Sequence, residues 1–325
     1  MRLCVSLLFM VSVVNAAQTQ QAPCTVVVNV TKMLMPYPLQ PLPPGGKYLP
    51  EPPMVPERRL APGDFVAHDG LFHHVPIASV EPDEGPRRIV LVATFGEGWR
   101  TYVRQWKGRD TASIWPGLTD ILAAARPQDS FALLAVGGPR LGVPLGSSRD
   151  ALGAGVEALS HPNPDGPEGA SLFDGLLEAA SWFGSPQIGD SIFELGDIRR
   201  WRWDKAKASR LRRALVSRGI RLFSLGGAHQ NFGGDDVAIG VQHSPLANLC
   251  EESGGAWQTI GYLGPDARDD MLWEWKNAAK ALYDMATFAY VLRLPRTGPH
   301  VKIQLTLPAQ RFRAFSYPNP LPVCP

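Results

Sequence analysis

Two hydrophobic periods alternate along the middle of the chain. Runs in which nearly every residue is apolar, Arg88 to Thr94 (RIVLVAT) and Phe131 to Val136 (FALLAV), predict strands buried on both faces, as in a parallel sheet covered by helices on each side. Asp190 to Leu195 (DSIFEL) repeats the pattern more weakly, and Ile220 to Leu225 (IRLFSL) is the next strand. Between these runs, apolar residues recur at three- and four-residue intervals. Ile114, Leu118, Ile121, Leu122 and Ala125 predict a helix over 111–125. Further helices are expected over 148–159 behind a Ser148 cap, over 171–183 (SLFDGLLEAASWF), and over 204–218, a basic helix stopped by Gly219. Two more are expected over 246–253, closed by Gly254 and Gly255, and over 269–286.

The two ends of the chain follow a different pattern. Thr25 to Thr31 (TVVVNVT) is a β-branched run, and Asp64 to Val80 alternates around Asp69-Gly70, a hairpin turn signal. YVLRL, VKIQLTL and FRAFSY near the other end alternate in the same way. The fold class is therefore α/β: a doubly wound, mostly parallel sheet with helices on both faces, plus a smaller all-β unit built from the N- and C-terminal segments. The expected divisions are a leader over 1–17, an N-terminal β-strand segment over 18–35 and a Pro-rich linker over 36–62. A β-hairpin over 63–85, the α/β domain over 86–265, and a long helix with the C-terminal β segment over 266–325 follow. The prolines of 36–62 exclude helix and central strand and suit a stiff, extended connector.

Composition narrows the function classes. The chain has 325 residues, 45% of them hydrophobic, which excludes a disordered polymer. Its formal net charge of +2 shows no overall basic excess of the kind nucleic-acid binders carry. Residues 1–17 (MRLCVSLLFMVSVVNAA) combine Arg2, a short apolar run and a small-x-small cleavage pattern, so a cut after Ala16 or Ala17 and a secreted or periplasmic product without a membrane span are expected. The alternative is an uncleaved anchor. With Cys4 removed, Cys24, Cys250 and Cys324 remain in an oxidising compartment. Cys24 and Cys324 sit near opposite ends, and chain ends often meet, so these two are the expected disulfide. Cys250 lies on a helical pattern and reads as a small buried hydrophobe.

Several segments carry a family likeness. Leu60 to Gly70 (LAPGDFVAHDG), Arg149 to Leu159, Gly169 to Leu176, Arg218 to Phe223 (RGIRLF), Leu249 to Gly255 (LCEESGG) and Ala289 to Leu294 (AYVLRL) occur in an order and spacing that resemble one group. The order resembles the von Willebrand factor A-type domain, and more narrowly the exported bacterial proteins, common in acidobacteria, that wrap such a domain between β segments. The resemblance implies a metal-ion-dependent adhesion site at the carboxyl edge of the sheet, made by Asp-x-Ser-x-Ser, a later Thr and a further Asp around Mg²⁺. Here those positions read Ala93, Phe95 and Glu97, then Ala170, then Asp197. Ala93 has no ligand atom, Phe95 is apolar and Ala170 lacks the hydroxyl. The expectation is a degenerate, metal-free crevice with no cofactor. A shifted site from Glu97, Ser171 and Asp197 is the sharper alternative.

Other clusters of reactive residue types have ordinary structural roles as their simplest reading. His73 and His74 are adjacent, so in a strand they point to opposite faces and do not share one ion. His229 and His243 flank Asp235 and Asp236 in a Gly-rich stretch whose separations match no known ligand spacing. Ser224 lacks a Gly-x-Ser-x-Gly elbow. Trp201 and Trp203 lie among Arg199, Arg200 and Arg202, and Trp99 and Arg100 follow the degenerate motif; Trp and Arg are favoured at interface hot spots. The sequence thus favours a non-catalytic binding module whose Trp/Arg residues hold another envelope or extracellular protein. A metal-assisted hydrolase using the His229–His243 loop is the alternative.

Overall fold

The computed structural model describes residues 24–32, 56, 58–70, 73–95, 100, 116–187, 189–196, 204–229, 245–262, 279–306, 312–317, 321, 323 and 324. In chain order the elements are β1 (Cys24–Lys32), β2 (Phe65–Asp69), β3 (His73–Val75), β4 (Ser79–Pro82), β5 (Arg88–Thr94), α1 (Pro116–Ala124), β6 (Ser130–Val136), β7 (Gly142–Val143), α2 (Arg149–Ser160) and α3 (Leu172–Ser181). They continue with β8 (Ser191–Gly196), α4 (Lys205–Arg218), β9 (Arg221–His229), α5 (Pro245–Glu252), β10 (Trp257–Tyr262), helical residues 279–287, β11 (Ala289–Leu294), β12 (Val301–Leu305) and β13 (Phe312–Tyr317).

The apolar strands form one six-stranded sheet in the order β10-β9-β8-β5-β6-β7. All pairings are parallel except that of β7, which runs antiparallel to β6 at the edge. Side chains alternate across this sheet. Ile89, Leu91, Ala93, Phe193 and Phe223 face Leu118, Ile121, Leu152, Leu282 and Met285 on one side. Val90, Val92, Ile192 and Leu222 face Leu172, Leu176, Leu211, Leu215 and Leu249 on the other. Each fully buried Val, Leu, Ile, Phe or Met side chain among them contributes about 1.5–3 kcal/mol of transfer free energy. The helix ends follow the expected caps. Ser148 Oγ accepts the Ala151 N–H at 3.2 Å, and Gly219 closes α4 in the left-handed region at φ 62°.

Both chain ends feed two antiparallel sheets. One has four strands in the order β13-β1-β11-β4, the other three in the order β12-β2-β3. Val26, Val28, Val30, Phe65, Ala67, Val75, Tyr290, Leu292 and Ile303 form a shared core between them. Tyr290 is the hub: its ring meets Phe65 and Phe288 edge-on at 5.7 and 5.4 Å, and its hydroxyl accepts the Leu60 N–H at 3.0 Å. Cys24 and Cys324 form a disulfide with Cα atoms 5.9 Å apart, and Cys250 is free and buried.

Polar groups join these layers beneath the amino ends of the parallel strands. Arg221, the first residue of β9, is fully buried. Its guanidinium donates to Asn29 Oδ1 on β1, to Ala286 O at 2.9 Å and to Gly189 O at 3.3 Å, and lies 5.3 Å from the centre of the Phe223 ring. Asn29 in turn donates to Met285 O. Nearby, Asp129 accepts from the Arg87 N–H at 2.9 Å, from Arg126 and from the Tyr283 hydroxyl at 2.6 Å. Burial pulls the Asp129 carboxyl upward, but those donors hold it below the usual range. Burial, aided by donation to Asp129, pushes Tyr283 up to about 12.

The strands differ from the expected set at four places. β4, β7 and β10 have no counterpart among the strands that the sequence pattern predicts. β9 also runs on to His229, so Gly226, Gly227 and His229 belong to a strand and not to a loop. The expected helix over 111–125 is described only over Pro116–Ala124, and that over 269–286 only over 279–287.

Candidate functional site

Counted from its own first strand, the large sheet has the order 3-2-1-4-5-6, so the chain's winding reverses between β5 and β8. Successive connections leave these two neighbours toward opposite faces, which opens a crevice outside their carboxyl ends, the usual ligand position of such sheets. Ala93 lies there, fully buried in register with Ala135 and Leu195. Phe95 follows the strand. Its N–H donates to Val136 O at 2.8 Å, and its ring is only 5% exposed.

The ring packs directly on Gly138. A Cβ at Gly138 would lie 2.2 Å from Phe95 Cδ2, so the close approach requires glycine there. The same loop is tied to the segment before α3: Gly137 N–H donates to Ala170 O and Gly169 N–H to Gly138 O, both at 2.7 Å. Ala170 is half-buried and Ser171 exposed. The Ser171 hydroxyl donates to Asp174 Oδ2 at 2.6 Å, and Lys207 Nζ reaches the same oxygen at 2.7 Å. Lys207, then Ser171, hold the Asp174 carboxyl below the usual range.

The described residues do not fit the oxygen shell of Mg²⁺. Ala93, Phe95 and Ala170 present no ligand atom, and the Ser171 hydroxyl is engaged with Asp174; an octahedral hard-ion site needs several oxygens converging on one point. Among the described residues no group of three or more His, Cys, Asp or Glu converges in this way. Arg100 reaches across the same edge. Its guanidinium donates to Pro164 O and Gly166 O, each at 3.0 Å, and lies 3.9 Å from Glu168. It therefore tethers the segment after β5 to the loop before α3. Glu97, Trp99, Asp197, Arg199, Arg200, Trp201, Arg202 and Trp203 lie outside the described residues, as do Asp235, Asp236 and His243.

One polar cluster beside the crevice was missed by sequence reasoning. Glu194 lies in β8 in register with Val92 and Ser224, fully buried, and accepts the Ser224 hydroxyl at 2.5 Å. Thr94 lies on the same face one pair further along, and its buried Oγ1 has no hydrogen-bond partner among the described residues. Cys250 of α5 packs on this face. Burial first, then the charges of Glu194 and Glu251, push its thiol well up, so it stays protonated and inert. The available signal was the single acid in DSIFEL: an acid inside a strand buried on both faces must find a donor.

No protein-family model matches this chain, and no curated protein matches it. Among solved structures, an aerotolerance-related membrane protein from Bacteroides fragilis is similar at 13% identity and a TM-score of 0.43, covering 62% of this chain and 98% of its own. BatB from Bacteroides thetaiotaomicron is similar at 15% identity and 0.39, covering 60% and 99%. Proximal thread matrix protein 1 from the mussel byssus, described with a zinc-occupied MIDAS motif, is similar at 13% identity and 0.39, covering 64% and 49%. The mixed α/β class of this chain follows from its own strand order and pairings. Among the described residues no helix is long and apolar enough to cross a membrane.

Proposed function

We propose that this chain is an exported protein-interaction module, with a von Willebrand factor A-type domain over 86–265, a β unit of its own from the two chain ends, and an adhesion crevice that works without metal. The observation that carries the reading is Phe95. A buried ring seated on Gly138 stands where the implied motif would place a metal-ligating hydroxyl, and Ala93 replaces the carboxylate before it. Loss of both groups removes the electrostatic reason for a divalent ion, while the crevice keeps its place at the strand reversal. Recognition then falls to Trp99, Arg199, Arg200, Trp201, Arg202 and Trp203, flanking the same two strand ends in sequence, with Arg100 holding the crevice wall. A few residues carry most of the energy of a protein interface, and Trp and Arg are enriched among them.

The metal-free reading has a direct check. A ligand that binds only the folded state at a hundredfold excess over Kd adds about 2.7 kcal/mol of stability. Millimolar Mg²⁺ is expected to leave the melting temperature unchanged, as is EDTA. A Mg²⁺-dependent rise that disappears in Glu97→Ala would restore the metal-dependent mechanism. The contact surface is checked separately: Trp201→Ala/Trp203→Ala is expected to weaken capture of an envelope partner by crosslinking while the melting temperature holds. A double variant that unfolds readily would make the two rings core residues and sink the surface reading.

A further inference from the structure

The short sheet β12-β2-β3 brings together two histidines that the sequence keeps apart. In the β2–β3 pairing His68 stands directly opposite His74, while His73 stands opposite Asp69. Because side chains alternate, His68 and His74 share one face, and that face is the outer one: Ala67, Val75 and Ile303 on the other face are buried in the core. His74 is exposed and His68 half-buried. Their ring centroids are 5.9 Å apart, with the planes 86° from each other.

We propose that His68 and His74 form a two-point site for a divalent first-row transition-metal ion. Metal–nitrogen bonds of about 2.0–2.1 Å from a ring nitrogen of each imidazole place the two centroids about 5–6.5 Å apart, depending on the angle at the metal. The observed separation lies inside that range, so both rings reach one ion by side-chain rotation with the strands left in place. Directly opposed residues on paired strands are held at a fixed spacing by the ladder, so little freedom is lost when an ion joins them. Imidazole suits copper, nickel and zinc, and the general order of stability puts Cu²⁺ first. Mg²⁺ and Ca²⁺, which require oxygen ligands, do not compete. No third His, Cys, Asp or Glu completes the group among the described residues. Lys302, opposite His68 on β12, adds an unfavourable charge. The site is therefore open and exchangeable, with water filling the remaining positions. Asp69 belongs to the other side, where it pairs with Arg296 at 3.1 Å.

The experiment is a titration of the EDTA-stripped full chain with CuCl₂, and in parallel with ZnCl₂, followed by calorimetry and by the NMR signals of the histidine rings. One equivalent of Cu²⁺ is expected to broaden His68 and His74 before any other histidine, and Zn²⁺ is expected to bind more weakly. His68→Ala and His74→Ala should each weaken binding by about tenfold or more, since loss of a mere outer-sphere partner already costs that much. His73→Ala, on the opposite face, should bind like the parent. Unchanged affinity in both Ala variants overturns the site, as does binding that disappears instead with His229→Ala or His243→Ala. Should either Ala variant melt early in EDTA, the ring signals of the unsubstituted protein decide: broadening elsewhere first rejects the proposal.

Discussion

Arg221→Ala is expected to destabilise the protein by about 3–5 kcal/mol, from buried acceptors that lose their donor at about 1–3 kcal/mol each and from the cavity the side chain leaves. The guanidinium is fully buried and donates to Asn29 Oδ1, Ala286 O and Gly189 O. Truncation leaves a polar side chain and two carbonyls without that donor, and a cavity against Phe223. The loss falls on the seam between β1 and the amino end of the parallel sheet, so both layers should loosen together. Urea unfolding followed by tryptophan fluorescence measures it. Arg221→Met should recover part of the loss, because its longer apolar side chain fills the cavity against Phe223 while the same acceptors stay without the guanidinium donor. A change below about 1 kcal/mol in Arg221→Ala, the net value of one ordinary hydrogen bond, would show that the network is not holding the seam.

Opening the Cys24–Cys324 disulfide is the second large expected effect. The bridge spans 300 residues of sequence. In the chain-entropy account, a cross-link closing a loop this long stabilises by about 5.7 kcal/mol, and native bridges commonly contribute about 2–5 kcal/mol. The folded chain keeps its ends together without the bridge, since β1 stays paired with β11 and β13 and Thr297 and Cys324 exchange backbone hydrogen bonds at 2.9 and 3.2 Å. The cost of reduction thus falls on the unfolded chain, where the observed loss is commonly below the entropic figure. A Cys24→Ser/Cys324→Ser variant is therefore expected to lose about 3–4 kcal/mol in urea. Cys250→Ser is the contrast: it tests a buried thiol and leaves the bridge intact. Equal stability of the oxidised and reduced protein would mean that the bridge removes no net freedom from the unfolded chain and would sink the entropic account.

The parallel sheet was readable because β5 and β6 have no polar face to confuse the pattern, and because Ser148 and Gly219 mark helix ends by mechanisms local to the backbone. β10 was missed because Gln258 and Gly261 interrupt its short apolar run. β4 contains Pro82 and leaves the hairpin beside it in the sequence to pair with β11, a choice made by distant residues. β7 has two residues and no period at all. Gly226 and Gly227 resembled loop punctuation, yet parallel pairing with β10 holds them extended. At the crevice, that the side chains of Ala93, Phe95 and Ala170 carry no oxygen is a property of residue type and was legible in the sequence. The seating of Phe95 on Gly138, the Glu194–Ser224 bond and the opposition of His68 to His74 were not, since each depends on register, which sequence alone leaves open.

The four-stranded sheet also sets an order of events. β1 lies between β13 and β11, so it has no neighbour in its own sheet until the chain beyond residue 289 exists. Contacts of such long sequence separation form slowly, because loop closure precedes any gain from pairing. Until then CTVVVNVTK is a β-branched ribbon with two open edges and a single charge, the composition that pairs most readily with strangers. A chain cut short before β11 would keep all six strands of the parallel sheet while leaving that ribbon bare. β11 and β13 thus act as a cover for the two edges of β1.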